Sequence, residues 1–333
     1  MRTACTMNEP SLNYVNCPDA TGGHRMAYWQ WGRPDSAHVV LCVHGLSRQG
    51  RDFDVLAQAL CDQSAQRPGG IRVVCPDVAG RGKSDWLKDP MGYQVPTYAA
   101  DMLVLLTQLH ADSPIHTLDW VGTSMGGLIG IVVSGHPGLR TAQPPSANTA
   151  SEAASAAATL SLPVPVRRLV LNDVGPALQW QAIERIGAYL GQAGQFSSVQ
   201  AAADAMWAIS EGFGPHTPAQ WLALSRPMVH PVSAADDSPW RLHYDPAIAV
   251  PFKQATEAST LQGEATLWQL YDNIEAQTLL LRGAQSDLLS VETAQAMTER
   301  GPHARMVQFE GIGHVPTLIA QDQLDVVVGF LLE

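Results

Sequence analysis

Short, nearly uninterrupted runs of aliphatic and β-branched residues recur along the first half of the chain and again near its end, each followed by a stretch with helical spacing. This alternation constrains the fold more than any other feature. A strand exposed on one face alternates apolar and polar residues, whereas a strand covered on both faces is apolar throughout. Residues 25–31, 38–43, 71–75, 118–121, 168–171, 278–281 and 305–309 read as strands. Residues 54–62, 98–109, 124–134, 291–300 and 318–332 read as helices. Within 98–109, Met102, Leu105, Leu106 and Leu109 share one face. Strands and helices in this order predict an α/β fold with a mostly parallel central sheet and helices on both faces.

Two stretches interrupt the rhythm. Residues 141–161 are rich in Ala, Ser, Pro and Thr, contain no aromatic residue, and carry one charge, Glu152. Such a segment has little apolar surface to bury and is expected to be a flexible surface loop. Residues 176–267 are instead helical and aromatic, with Trp180, Trp207, Trp221, Trp240, Tyr189 and Tyr244. A sheet broken by such an excursion and then resumed predicts a core domain of residues 1–175 and 268–333 with an inserted helical cap over 176–267. A length of 333 residues accommodates this, since domains average about 150 residues.

Composition narrows the function classes. Hydrophobic residues make up 46% and charged residues 15%, which supplies a packed core and excludes a disordered chain. A net charge of −11 argues against nucleic acid, which needs clustered basic residues. The five cysteines all fall in the first quarter, an odd count without regular spacing, so no disulfide framework is expected. Cys42 and Cys75 lie within apolar runs and read as small core residues. The N-terminal stretch lacks the apolar region of a signal peptide. No apolar run reaches the roughly 18 residues of a membrane helix. The expectation is a cytoplasmic enzyme with a small-molecule substrate and neither nucleic acid nor membrane as partner, with a homodimer left open.

The most specific motif is Gly122-Thr123-Ser124-Met125-Gly126, placed directly after the strand 118–121 and opening a helix. A serine on such a tight turn is held out from the end of the sheet, and the flanking glycines let neighbouring backbone pass close by. His44-Gly45-Leu46-Ser47 follows the strand 38–43. Acyl transfer needs preorganised donors for an oxyanion, and the N–H groups of Leu46 and Met125 stand where such donors are expected. His44 reads either as a structural histidine bonding backbone or, with Tyr244, as a substrate contact. Arg282-Gly283-Ala284-Gln285-Ser286-Asp287 follows the strand 278–281, and Gly311-Ile312-Gly313-His314 follows the strand 305–309. Asp287 and His314 thus lie on loops at the carboxyl ends of strands, where α/β enzymes place their sites. With Ser124 they give the order Ser, Asp, His. Asp173, ending the strand before the cap, is the rival acid.

Over about residues 24–333 the sequence resembles the α/β-hydrolase superfamily in its capped form, carried by HGLS, PDVAGRGKSD, GTSMGG, RGAQSD and GIGH. The resemblance implies Ser124 as nucleophile, His314 as base and Asp287 as acid, with the oxyanion held by Leu46 and Met125. Serine at 124 departs from the aspartate of related dehalogenases and epoxide hydrolases. Leu46-Ser47 matches neither the HG-x-P of epoxide hydrolases nor the HGGG of some lipases. The implied activity is hydrolysis of a carboxylic ester or lactone through an acyl-enzyme, without a cofactor. The alternatives are hydrolysis of a carbon–carbon bond in a β-diketone-like compound and a non-catalytic receptor for a small ligand.

Two decoys fall away. Gly82-Lys83-Ser84 imitates the end of a phosphate-binding loop, but Asp77 stands where its leading glycine belongs. This stretch reads as a turn, with Asp77, Arg81 and Asp85 as a structural charge cluster. The 11 histidines lack the H-x-x-x-H spacing of a helical metal site, so no metal is expected.

Overall fold

The computed structural model describes residues 9–139, 160–192, 194–235 and 237–333. Most of the expected loop 141–161 therefore lies outside the described residues. The chain opens with β1 (Ser11–Cys17), β2 (His24–Gly32), β3 (His38–Val43), α1 (Asp54–Ser64) and β4 (Arg72–Pro76). There follow α2 (Val95–Asp112), β5 (Thr117–Thr123), α3 (Met125–Gly135) and β6 (Val166–Asn172). An excursion then carries α4 (Trp180–Tyr189), β7 (Gln195–Phe196), α5 (Val199–Trp207), α6 (Pro218–Ser225), β8 (Val229–Pro231), β9 (Trp240–Leu242) and α7 (Ala249–Gln254). The chain closes with α8 (Glu257–Asp272), β10 (Gln277–Gly283), α9 (Val291–Glu299), β11 (Arg305–Phe309) and α10 (Gln321–Leu332).

Eight strands form one sheet in the order β1-β2-β4-β3-β5-β6-β10-β11. Strand β2 runs antiparallel to both neighbours, and the other adjacent pairs are parallel. The sheet is thus mostly parallel, and its apolar runs follow from burial on both faces. Along β3, Val39, Leu41 and Val43 pack with Met102 and Leu106 of α2 and Ile129 of α3. The intervening Val40 and Cys42 pack with Leu56 and Leu60 of α1 and Val327 and Leu331 of α10. The chain turns to β4 on one side of β3 and to β5 on the other. That reversal opens a crevice at the carboxyl ends of β3 and β5, where α/β folds bind ligands.

Besides its helices, the excursion contains a three-stranded sheet in the order β7-β9-β8. It has its own apolar cluster, built from Ala202, Ala203, Met206, Trp221, Leu224, Met228 and Val229. The boundary expected between residues 267 and 268 falls inside α8, which packs on α3. A Cβ added at Gly135 would lie 2.0 Å from Leu270 O, so the two helices meet backbone to backbone. Among the described residues no helix is long and apolar enough to cross a membrane.

Glycine sets how closely α3 approaches the sheet. A Cβ added at Gly126 would lie 1.9 Å from Val43 O, and one at Gly122 would lie 2.4 Å from Gly126 O. These contacts are with backbone, which cannot swing aside. Gly126→Ala should therefore cost at least about 2 kcal/mol of stability, read as a lower urea midpoint. Gly263 in α8 has nothing within 4 Å of its added Cβ. Gly263→Ala should raise the midpoint, by about 0.5–1 kcal/mol of stability. Equal midpoints for the two variants would contradict this account of the packing.

Candidate active site

Ser124 joins β5 to α3 with φ 51° and ψ −116°, a left-handed backbone that a residue with a Cβ adopts only when its surroundings enforce it. The surroundings do so. Its N–H donates to Asn172 O at 3.0 Å, and its carbonyl accepts from Gly127 N at 2.8 Å and Leu128 N at 3.2 Å. The hydroxyl is thereby presented at the sheet's end beside the N-terminus of α3, whose dipole favours negative charge.

His314 lies in the loop between β11 and α10. That loop rests directly on the loop after β10, where Gln285 N donates to Ile312 O at 2.8 Å and an added Cβ at Gly283 would lie 2.2 Å from Gly313 O. His314 Nε2 is 2.9 Å from Ser124 Oγ, and Nδ1 is 2.7 Å from Asp173 Oδ2. Asp173 is wholly buried and has φ 55°. Its Oδ1 accepts from Gly283 N at 2.9 Å, and its Oδ2 also accepts from Ser286 Oγ at 2.6 Å. A carboxylate occupied by donors accepts the Nδ1–H of the imidazole, which leaves Nε2 to accept the serine proton.

The structure corrects the expectation for Asp287. This residue points away from His314 into a half-exposed ion pair with Arg185 of α4, with Nε to Oδ2 at 2.7 Å and Nη2 to Oδ1 at 3.0 Å. It is its neighbour Ser286 that reaches Asp173. The sequence signal for Asp173 was its place at the end of the strand before the excursion. Nothing in the sequence singled out Ser286 or Arg185.

His44 is likewise not a substrate contact. Its ring is fully buried, with Nδ1 at 2.7 Å from Gly45 O and Nε2 accepting from Val78 N at 2.9 Å. Burial holds its pKa down at about 3, so it stays neutral and braces the loop after β3. That loop carries Leu46, whose carbonyl accepts from Arg81 Nε at 2.9 Å. Arg81 also donates to Ala79 O and Tyr98 Oη, at 2.7 and 2.9 Å. Asp77, Arg81 and Asp85 do separate work rather than pairing with one another. Asp77 accepts from Gly50 N and Lys83 N, at 2.7 and 2.8 Å, and Asp85 pairs with Arg25.

Two cavities open from Ser124. The smaller, of about 130 Å³, is lined by Leu46, Arg48, Arg185, Tyr244 and His314 among others. The larger, of about 470 Å³, is lined by Leu46, Met125, Tyr93, Leu128, Ile183 and Phe252 among others. Tyr244 thus borders the smaller cavity, while its neighbours His243 and Asp245 are buried anchors that accept from Gly82 N at 2.6 Å and from Tyr93 Oη at 2.6 Å.

Among the described residues one group has donor atoms close enough to hold a metal ion: Cys17, His24 and Asp101, buried where the β1–β2 hairpin meets α2. His24 already spends both ring nitrogens on carboxylates, with Asp19 and Asp101 each at 3.0 Å. Burial alone would lower the His24 pKa, but the hydrogen bonds to Asp101 and Asp19 outweigh it and raise it. With both ring nitrogens facing carboxylates, His24 reads as a bridge between Asp19 and Asp101.

Residues 40–329 match the alpha/beta hydrolase family. The chain is similar to a 3-hydroxybutyrate-oligomer hydrolase from Cupriavidus necator, with 44% identity over 321 residues, covering 96% of this chain and 97% of the relative. It is also similar to the crystal structure of an alpha/beta hydrolase from Novosphingobium aromaticivorans, with a TM-score of 0.74 and 30% identity over 98% of this chain and 99% of that one. The eight-stranded sheet is the sheet of that fold, and the expected resemblance holds over nearly the whole chain. The chain belongs to the alpha/beta hydrolase family and is a hydrolase.

Proposed function

We propose that this hydrolase cleaves carboxylic esters through an acyl-enzyme on Ser124, with His314 as general base and Asp173 as the acid that orients it. The hydrogen-bonded chain from Ser124 Oγ through His314 to buried Asp173 carries this reading. Ser124 Oγ attacks the carbonyl carbon while His314 Nε2 takes its proton. The oxyanion is held by the N–H groups of Leu46 and Met125, each contributing about 3–4 kcal/mol. The intermediate collapses as His314 returns the proton to the leaving alcohol. Water then attacks the acyl-enzyme, giving its proton to His314, and the acid departs from a restored serine. Asp173 keeps the Nδ1–H tautomer and stabilises the imidazolium. Arg81 braces the loop that carries the Leu46 N–H by donating to the Leu46 carbonyl. The excursion serves as a cap, because Ile186, Tyr189, Phe213 and Tyr244 from it wall the cavity above Ser124.

Short linear hydroxyacyl oligoesters are the substrate class we assign. The similarity to a 3-hydroxybutyrate-oligomer hydrolase supports this, and so do two cavities leaving Ser124, which suit a chain extending on both sides of the scissile bond. A cytoplasmic setting belongs to the same reading. The described cysteines Cys17, Cys42, Cys61 and Cys75 are free thiols, as a reducing compartment keeps them.

The test is turnover of linear 3-hydroxybutyrate dimer and trimer, a short p-nitrophenyl ester and a β-diketone. Both ester types should be cleaved, and Ser124→Ala should abolish this while keeping the wild-type melting temperature. Cleavage of the diketone alone would turn the reading to carbon–carbon hydrolysis. On the p-nitrophenyl ester, Asp173→Asn should lose at least about 10²-fold in kcat, since the same change in a serine protease costs about 10⁴. Asp287→Asn should lose less than about tenfold. The reverse ranking would return the acid to the loop after β10.

A further inference from the structure

The two cavities differ in chemistry as well as size. The lining of the larger one contains Met125 and no charged side chain, whereas the lining of the smaller one contains His314, Arg185 and the paired Arg48 and Asp52. Proton transfer assigns them. His314 gives its proton to the leaving oxygen, so the leaving alcohol departs through the cavity that His314 lines. With the alcohol side placed there, the acyl chain takes the other cavity that reaches Ser124, the apolar one. In a linear hydroxyacyl oligoester the free carboxylate always lies on the alcohol side of the ester bond, and the guanidinium groups lie on that same side.

Resting on the ester-hydrolase reading above, we propose that the enzyme cuts such oligoesters from the carboxylate end, releasing one hydroxyacid at a time, with Arg185 binding the terminal carboxylate. Arg48 is not available for this role, because Asp52 takes its Nε and Nη2 at 2.6 and 2.7 Å and Nη2 also donates to Leu224 O. Arg185 is half-exposed at the cavity wall. Asp287 takes two of its five N–H donors, so donors remain for a carboxylate. An exposed ion pair contributes little stability, so the guanidinium shifts from Asp287 to a substrate at small cost. The smaller cavity suits a short leaving unit and the larger one a longer acyl chain.

The experiment compares kcat/KM for the linear 3-hydroxybutyrate dimer with that for its N-methylamide, which has the same length without the charge. Wild-type enzyme should prefer the free acid by at least about tenfold, as one charge-assisted hydrogen bond provides. Arg185→Met should bring the ratio towards one through KM, and Arg185→Lys should retain part of it. With wild-type enzyme, a trimer carrying an isotope label in its carboxyl-terminal unit should release labelled monomer and unlabelled dimer first. Label appearing first in the dimer, or acid and amide cleaved equally well by the wild type, would overturn the proposal while leaving the ester-hydrolase reading intact. Cleavage of neither compound would bring down both.

Discussion

The Asp173 carboxylate is wholly buried and accepts hydrogen bonds from Gly283 at the end of β10, from Ser286 just beyond it, and from His314 on the loop after β11. A charge removed from water is tolerated only where donors replace its hydration. Here the donors come from the 283–286 turn and the 314 loop, and the acceptor comes from the end of β6. The carboxylate therefore holds three separate chain segments in register. Asp173 itself is tied to β10 by its N–H, which donates to Leu281 O at 2.8 Å. Ser124 joins the same assembly through Asn172 O, so the serine, the histidine and the aspartate share one rigid frame.

That frame also shows which parts of the site a linear sequence could reveal. Ser124 was legible because its glycines are required by close backbone contacts, at Gly126 against Val43 above all. His314 was legible because its loop has a marked composition and follows a strand. The carboxylate that bonds His314 was not, because β6 and β10 are adjacent and parallel, and each ends in a loop bearing an aspartate. Choosing between them depends on side-chain direction, which is set by φ 55° at Asp173 and by the inward turn of Ser286. Neither leaves a trace in periodicity.

The sheet was legible for a related reason. Strands buried on both faces must be apolar throughout, and that constraint is written into contiguous residues. The edge strand β1 escaped it: Ser11, Leu12 and Asn16 are exposed, and only Val15 and Cys17 are buried. The small sheet of the excursion escaped too, since strands of two or three residues have no pattern to detect. The same logic separates His44 from His314. Both are histidines in loops at strand ends, but one has its two nitrogens committed to backbone and the other faces a hydroxyl.

The loop of His314 is fastened on its other side to the excursion. Gly313 N donates to Gly212 O at 2.6 Å, and His216 Nε2 lies 2.9 Å from Thr317 Oγ1. These bonds flank the histidine. A swing of the 212–216 backbone away from the sheet cannot occur without pulling on the residues either side of the imidazole. The setting of the imidazole is therefore tied to the backbone of the excursion as well as to the sheet, so one ring answers to two parts of the chain at once.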